Sequence, residues 1–194
     1  MSSRWVLQIT LFTGLVLVGL TGCSISARHD TQGGPDKDVD IQTPLGSLSV
    51  HQGTTDPKET GLALYPGAQI KKDMDHEGSA NVNISSPFLG VKVVALKYKS
   101  DDAPEKVLAF YRKDMGKFGK VVDCTGSFSM SFGHRDKDKD APVTCEDTGS
   151  GHEYTQELKV GTQNNQRIVA IKPSGNGSEF ALVYVRAWDD KSTL

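Results

Sequence analysis

Asp136-Lys137-Asp138-Lys139-Asp140 places carboxylates at alternate positions, as a calcium-binding loop does around its ion. Counted from Asp136, Val143 falls at the eighth position and Asp147 at the twelfth. Ala141 occupies the sixth, where such a loop needs Gly for its sharp turn, and the twelfth usually carries the longer Glu. Interleaved lysines dilute the charge and no flanking helices are predicted, so the stretch reads as a solvated loop tip. The five histidines (His29, His51, His76, His134, His152) show neither H-x-H nor H-E-x-x-H spacing, and no metal site is expected. Ser127, Ser129 and Ser131 alternate as strand residues do, and no G-x-S-x-G elbow occurs. Gly149-Ser150-Gly151-His152 reads as a turn, since neighbours in sequence do not make a base–nucleophile pair. Gly175-Asn176-Gly177 lacks the Lys-Ser/Thr and the strand–helix setting of a phosphate loop. No catalytic constellation and no cofactor are expected.

The remaining chemistry is cysteine chemistry. Arg4 is the single positive charge before an apolar run from Trp5 to Leu20, and no acid occurs before Asp30. A charged start, a short apolar stretch and small residues before a cut make a secretory signal, expected to be helical. The 16-residue run falls short of the roughly 20 residues that span a bilayer comfortably. Leu20-Thr21-Gly22-Cys23 closes it. These four residues resemble the lipobox of bacterial lipoproteins, in which a branched apolar residue and two small ones precede a cysteine. The resemblance covers about the first 25 residues. It implies removal of residues 1–22, a diacylglyceryl group and palmitate-type acyl chains on Cys23, and attachment to membrane lipid. Two or three acyl chains hold a protein at a membrane stably, where one is marginal. The location implied is the cell envelope, facing the periplasm. By analogy with enterobacterial sorting, Ser24 in place of Asp favours the outer membrane. An ordinary signal peptide or an uncleaved anchor is the alternative.

With Cys23 assigned to lipid, Cys124 and Cys145 remain, an even pair in a compartment where disulfides persist. A bond between them would close a loop of about 20 residues, worth about 3 kcal/mol in the chain-entropy model. Two free buried thiols are the alternative. A redox pair is not expected, because the C-x-x-C spacing is missing.

Residues 23–37 are polar, with Gly33-Gly34-Pro35 at their centre, and read as a flexible tether. Residues 38–51 read as a β-hairpin, with Val39, Ile41 and Thr43 alternating before the Pro44-Leu45-Gly46 turn and Leu48 and Val50 after it. A loose stretch, Gln52 to Thr60, should separate this hairpin from an α+β domain over 61–189. Tyr65-Pro66-Gly67-Ala68 predicts a type II turn. Strands are expected at Gln69–Met74, Ala80–Ser85 and Val91–Lys99, the last apolar on both faces and therefore central. Leu108, Tyr111, Met115 and Phe118 recur at helical spacing and predict one main α-helix over about 102–118, capped by Asp102, with Pro104 in its first turn and Gly119 as its stop. That stripe reads as a core-facing surface rather than a ligand box. Further strands are expected at Lys120–Cys124, Ser127–Phe132, Tyr154–Val160, Arg167–Lys172 and Glu179–Trp188. The sum is a curved, mostly antiparallel sheet with the helix packed across it.

Val39–Val50, Gly61–Ala68, Asp101–Tyr111 and Phe180–Arg186 together resemble a group of uncharacterised bacterial envelope proteins, acidobacterial in type. That likeness supports the domain limits and carries no activity with it. The chain has 194 residues, a formal net charge of −2 and 7% aromatic residues, so it offers no basic, aromatic stripe for nucleic acid. The expectation is a membrane-anchored, non-enzymatic binding or scaffold module whose partner is an envelope protein or small ligand. The alternatives are a carrier of a small apolar ligand, with a cavity between helix and sheet, and a hydrolase whose residues converge from separate strands.

Overall fold

The computed structural model describes residues 24–29, 37–52, 55–73, 76–77, 79–125, 140–145 and 154–189. The signal segment, Cys23, the strand expected at Ser127–Phe132 and most of the acidic loop lie outside them. Ser24–His29 (β1), Lys37–Thr43 (β2) and Gly46–Gln52 (β3) come first, then Gln69–Ile70 (β4) and the short pair Lys72–Asp73 (β5) and His76–Glu77 (β6). Ser79–Ser85 (β7) and Leu89–Ser100 (β8) precede the helix Pro104–Met115 (α1). Val122–Thr125 (β9), Gln156–Thr162 (β10), Asn165–Ser174 (β11) and Gly177–Asp189 (β12) complete the described elements.

Ten strands form one open, curved sheet in the order β1-β2-β3-β7-β8-β12-β11-β10-β9, with β4 also on β8. Every pairing within it is antiparallel. β8 lies centrally between β7 and β12, as its two apolar faces predict. Among the described residues α1 is the single α-helix, and no helix is long and apolar enough to cross a membrane.

The helix forms where its apolar stripe can be covered. Val107, Leu108, Tyr111 and Met115 are buried against β10, β11 and β12, where Leu158, Val160, Val169, Ile171 and Leu182 point at them. A 3-10 turn over Gly116–Phe118 extends it, and Gly119 ends the run. The opposite sheet face holds a second cluster of Ile168, Ala170, Ala181, Val183 and Val185 with Tyr154. Apolar residues at consecutive positions of β11 and β12 follow from burial on both faces.

Four expectations need correction. Asp102 does not cap α1: Ala103 is the N-cap residue and has no side-chain hydrogen bond, while Pro104 begins the helix. Asp102 instead accepts hydrogen bonds from the Tyr65 hydroxyl and the Lys106 ammonium, both at 2.8 Å, and these charge-assisted bonds outweigh the cap. The stretch 23–37 is not tether throughout, because Ser24–His29 pairs with β2 as an edge strand. Its Ser-Ile-Ser-Ala alternation suits a strand, which the polar composition of the whole stretch hid. The hairpin 38–51 is not a separate unit, since β3 pairs with β7 and continues the main sheet. The strand expected at Gln69–Met74 is broken: β4 pairs with β8, whereas Lys72–Asp73 turns away to pair with His76–Glu77. The predicted turn at Tyr65–Ala68 forms, with Ala68 N–H donating to the Tyr65 carbonyl at 3.0 Å and Gly67 at φ 76°.

Candidate functional site

Cys124 and Cys145 are joined in a disulfide with Cα atoms 5.5 Å apart. β9 places Cys124 opposite Glu157 of β10. The other cysteine arrives because residues 141–143 run antiparallel to the end of β10. Val143 N–H donates to the Gly161 carbonyl, and Gln163 N–H to that of Ala141. Ala141 and Val143, the sixth and eighth positions of the calcium-like pattern, thus serve as sheet edge, with Val143 buried. Asp136, Lys137, Asp138, Lys139 and Asp147 lie outside the described residues, as do Ser127, Ser129, Ser131, His134 and Gly149 to His152. Gly175 and Asn176 form the two-residue turn between β11 and β12.

His51 is the histidine whose side chain the structure describes. It stands half-exposed on β3 between Asp38 and Asp40 of β2, with Nδ1 3.9 Å from one carboxylate and Nε2 3.7 Å from the other. No serine or threonine hydroxyl reaches it among the described residues. Among them, too, no cluster of three or more metal-ligating side chains forms.

Three carboxylates beside the helix, Asp102, Asp114 and Asp123, are tied to structural partners. Asp114 Oδ2 accepts from Ala63 N–H at 2.9 Å, and its Oδ1 from Lys117 at 2.8 Å. Asp123 pairs with Arg112. Glu59, in a 3-10 turn over Pro57–Thr60, accepts from Asn81 and Lys92, both at 2.9 Å, and fastens that turn to β7 and β8. Arg167 bonds the Thr60 carbonyl at 2.9 Å and lies 3.8 Å from the Phe118 ring centroid and 4.8 Å from that of Tyr184. Burial lowers its pKa. The Tyr65 hydroxyl is raised, first by burial and then by its bond to Asp102, whose own carboxyl is lowered by Lys106 and Tyr65.

Two ionic clusters on the opposite face escaped the sequence reading. Glu157 and Lys159, two apart on β10, are both buried and 3.2 Å from each other. Glu179 of β12 accepts from Lys71 at 2.8 Å, from Ser174 at 3.0 Å and from Lys172 at 3.2 Å. Its carboxyl is held down at about 2, chiefly by Lys71, with Lys172 and Ser174 adding to it against the cost of burial. In sequence, Glu157 and Lys159 alternate with Leu158 and Val160 and look like an ordinary solvent face. No local signal separates that case from a buried pair.

The space under α1 is filled by rings. Tyr65 meets Phe110 at 5.2 Å between centroids, Tyr98 stacks on Phe180 at 5.6 Å, and Tyr111 lies 5.7 Å from Phe180. Tyr98, Tyr111 and Phe180 are buried, and the Tyr98 hydroxyl finds no hydrogen-bond partner among the described residues. Beyond the helix, the same face of β2, β3 and β7 is polar, carrying Asp40, Ser49, His51, Asn81 and Asn83. No family model, curated protein or solved structure matches the chain.

Proposed function

We propose that the chain is the precursor of an envelope lipoprotein, lipidated on Cys23 and exported, with an N-terminal signal helix that is removed. Its domain acts as a non-enzymatic binding or scaffold module facing the periplasm, at the outer membrane by the Ser24 analogy. Membrane lipid is its first partner and an envelope protein or small ligand its second. The likeness to envelope proteins of acidobacterial type fits the same address. Leu20-Thr21-Gly22-Cys23 supports the anchor.

The observation that carries the role of the domain is the filled helix–sheet interface. A carrier of an apolar ligand needs a cavity there, and Tyr65, Tyr98, Tyr111 and Phe180 occupy the place. A hydrolase needs an acid–base or nucleophile–base pair facing common space, whereas Asp102, Asp114 and Asp123 beside the helix are bonded to basic or backbone partners. What the domain offers outward is a polar sheet face beside the helix.

Expression of Cys23→Ala tests the anchor. The parent should appear at mature mass plus acyl groups and fractionate with membranes, while the variant stays at precursor mass without lipid. Normal cleavage of the variant at the same bond would overturn the lipoprotein reading. For the domain, thermal shift with a fatty-acid series should show no rise in Tm. A rise that grows with chain length would restore the carrier.

A further inference from the structure

Six large apolar side chains are exposed among the described residues, and four of them gather at one end of the sheet. Leu45 is 76% exposed at the β2–β3 turn, Phe88 and Leu89 are 72% and 51% exposed at the β7–β8 turn, and Ile84 stands beside them. The register makes the two turns neighbours. Ser47 pairs with Ser85, and a Cβ on Gly46 would come within 2.4 Å of the Ser85 carbonyl oxygen.

Both tips are held by hydroxyls rather than left loose. Thr43 Oγ1 accepts from Leu45 N–H at 3.3 Å and donates to the Gly46 carbonyl at 2.9 Å. Ser86 Oγ accepts from Phe88 and Leu89 N–H at 3.3 and 3.1 Å and donates to the Leu89 carbonyl at 3.0 Å. Apolar side chains on pinned turns cost little further ordering when they enter a partner.

The chain's own connectivity indicates the partner. Ser24 pairs with Gln42, in the same transverse row as Ser47, Ser85, Gly90 and Trp188. Cys23 directly precedes Ser24 in sequence, so a lipid on it would be attached one residue before the strand that starts at that end of the sheet. Trp188 lies over Gly90, where a Cβ would come within 2.1 Å of the indole, and Arg186 is 6.0 Å from its ring. Tryptophan beside a basic residue is the pairing that favours a bilayer's headgroup level.

We propose that the end of the sheet carrying Leu45, Phe88 and Leu89 is a membrane-docking surface that enters the headgroup region of the bilayer holding the Cys23 lipid. This rests on the lipid-anchor reading and deepens it. The lipid attaches the protein, and the two tips fix its orientation, with the strands steep to the membrane and the helix end of the sheet away from it.

Cleavage before Cys23 removes Trp5 and leaves Trp188 as the single tryptophan, a built-in probe. The mature lipoprotein would be reconstituted into phosphatidylethanolamine–phosphatidylglycerol vesicles containing brominated phosphatidylcholine. Bromines near the headgroup should at least halve Trp188 emission, and deep bromines should quench it less. A Leu45→Ser, Phe88→Ser, Leu89→Ser variant, and to a smaller degree Phe88→Ser alone, should lose that quenching while still floating with the vesicles. Ile70→Ser, also exposed but opposite Tyr98 and so about 26 Å along β8 from Gly90, should quench as the parent does. Absence of quenching in the floating parent, or equal quenching in the triple variant, would overturn the docking surface and leave the anchor intact. A tip-dependent dimer in detergent, with no quenching in vesicles, would assign the surface to a second copy and overturn it as well. Failure of the anchor itself is read separately, as an intact mass without acyl groups.

Discussion

The Tyr98 hydroxyl is buried within the aromatic cluster and finds no hydrogen-bond partner among the described residues. A buried donor without a partner costs about 1–3 kcal/mol, so Tyr98→Phe, which keeps the ring stacked on Phe180, should stabilise the fold by about 1 kcal/mol. Urea denaturation would show it as a higher midpoint with an unchanged slope, and a loss of stability would reveal a bond to that hydroxyl. Glu179 makes the opposite case, a half-buried acid with three donors. Its carboxyl titrates at about 2 in the folded protein against an ordinary 4.5, so the folded state binds fewer protons than the unfolded one between those values. Its contribution is therefore complete above about pH 4.5 and drains away as pH falls toward 2. With screening by the solvent that reaches the cluster, the loss should be about 1–2 kcal/mol. Lys71→Met should flatten this part of the stability–pH curve, and an unchanged curve would show that Lys71 does not hold the carboxylate.

At the N-terminus of α1 the helix runs without a side-chain cap, because Asp102 is engaged by Tyr65 and Lys106 and Ala103 has nothing to offer. Ala103 already has the extended backbone of a cap residue, at φ −61° and ψ 151°. Ala103→Ser should thus add about 0.5–1 kcal/mol, read as a rise in Tm, and no rise would mean that the helix start is satisfied by solvent. The same place shows what the sequence could and could not reveal. Helical spacing of Leu108, Tyr111 and Met115 located the helix, and two-faced apolarity located β8 inside the sheet, because both patterns record burial directly. The cap was missed because Asp102 had a competing partner 37 positions away in Tyr65, and sequence distance hides such partners. β1 was missed because an edge strand needs apolar residues on one face only. The broken strand after Gln69 was missed because the chain leaves the ladder of β8 only after Lys71, whose N–H still donates to the Lys97 carbonyl, with no breaker residue to announce it.

Across the whole molecule, burial is graded along the sheet. Val169, Ile171 and Leu182 lie beneath the helix and are fully buried, while Val183 and Ile168 are covered on the other face. At the other end, Val39, Ile41, Leu48, Val50 and Val82 are half-exposed, and the strands β1, β2 and β3 join the remainder through the β3–β7 ladder. This gradient explains why the candidate surface was harder to read than the core. Leu45, Phe88 and Leu89 are separate in sequence and form one patch only because β3 pairs with β7. It also sets an order of opening. Strands that bury little apolar area open at lower free energy than the global transition, and those under the helix open only with it. Native-state hydrogen exchange should therefore find the amides of Ile41 and Leu48 at least tenfold less protected than those of Val169 and Leu182, a gap of about 1.4 kcal/mol or more. Equal protection across the sheet would show that it opens as a single unit. In the lipidated protein on vesicles the gap should narrow, because a membrane that holds Cys23 and both tips stabilises the closed form of these strands by its own binding free energy. If vesicles leave the protection of Ile41 and Leu48 unchanged, the membrane does not hold this end of the sheet.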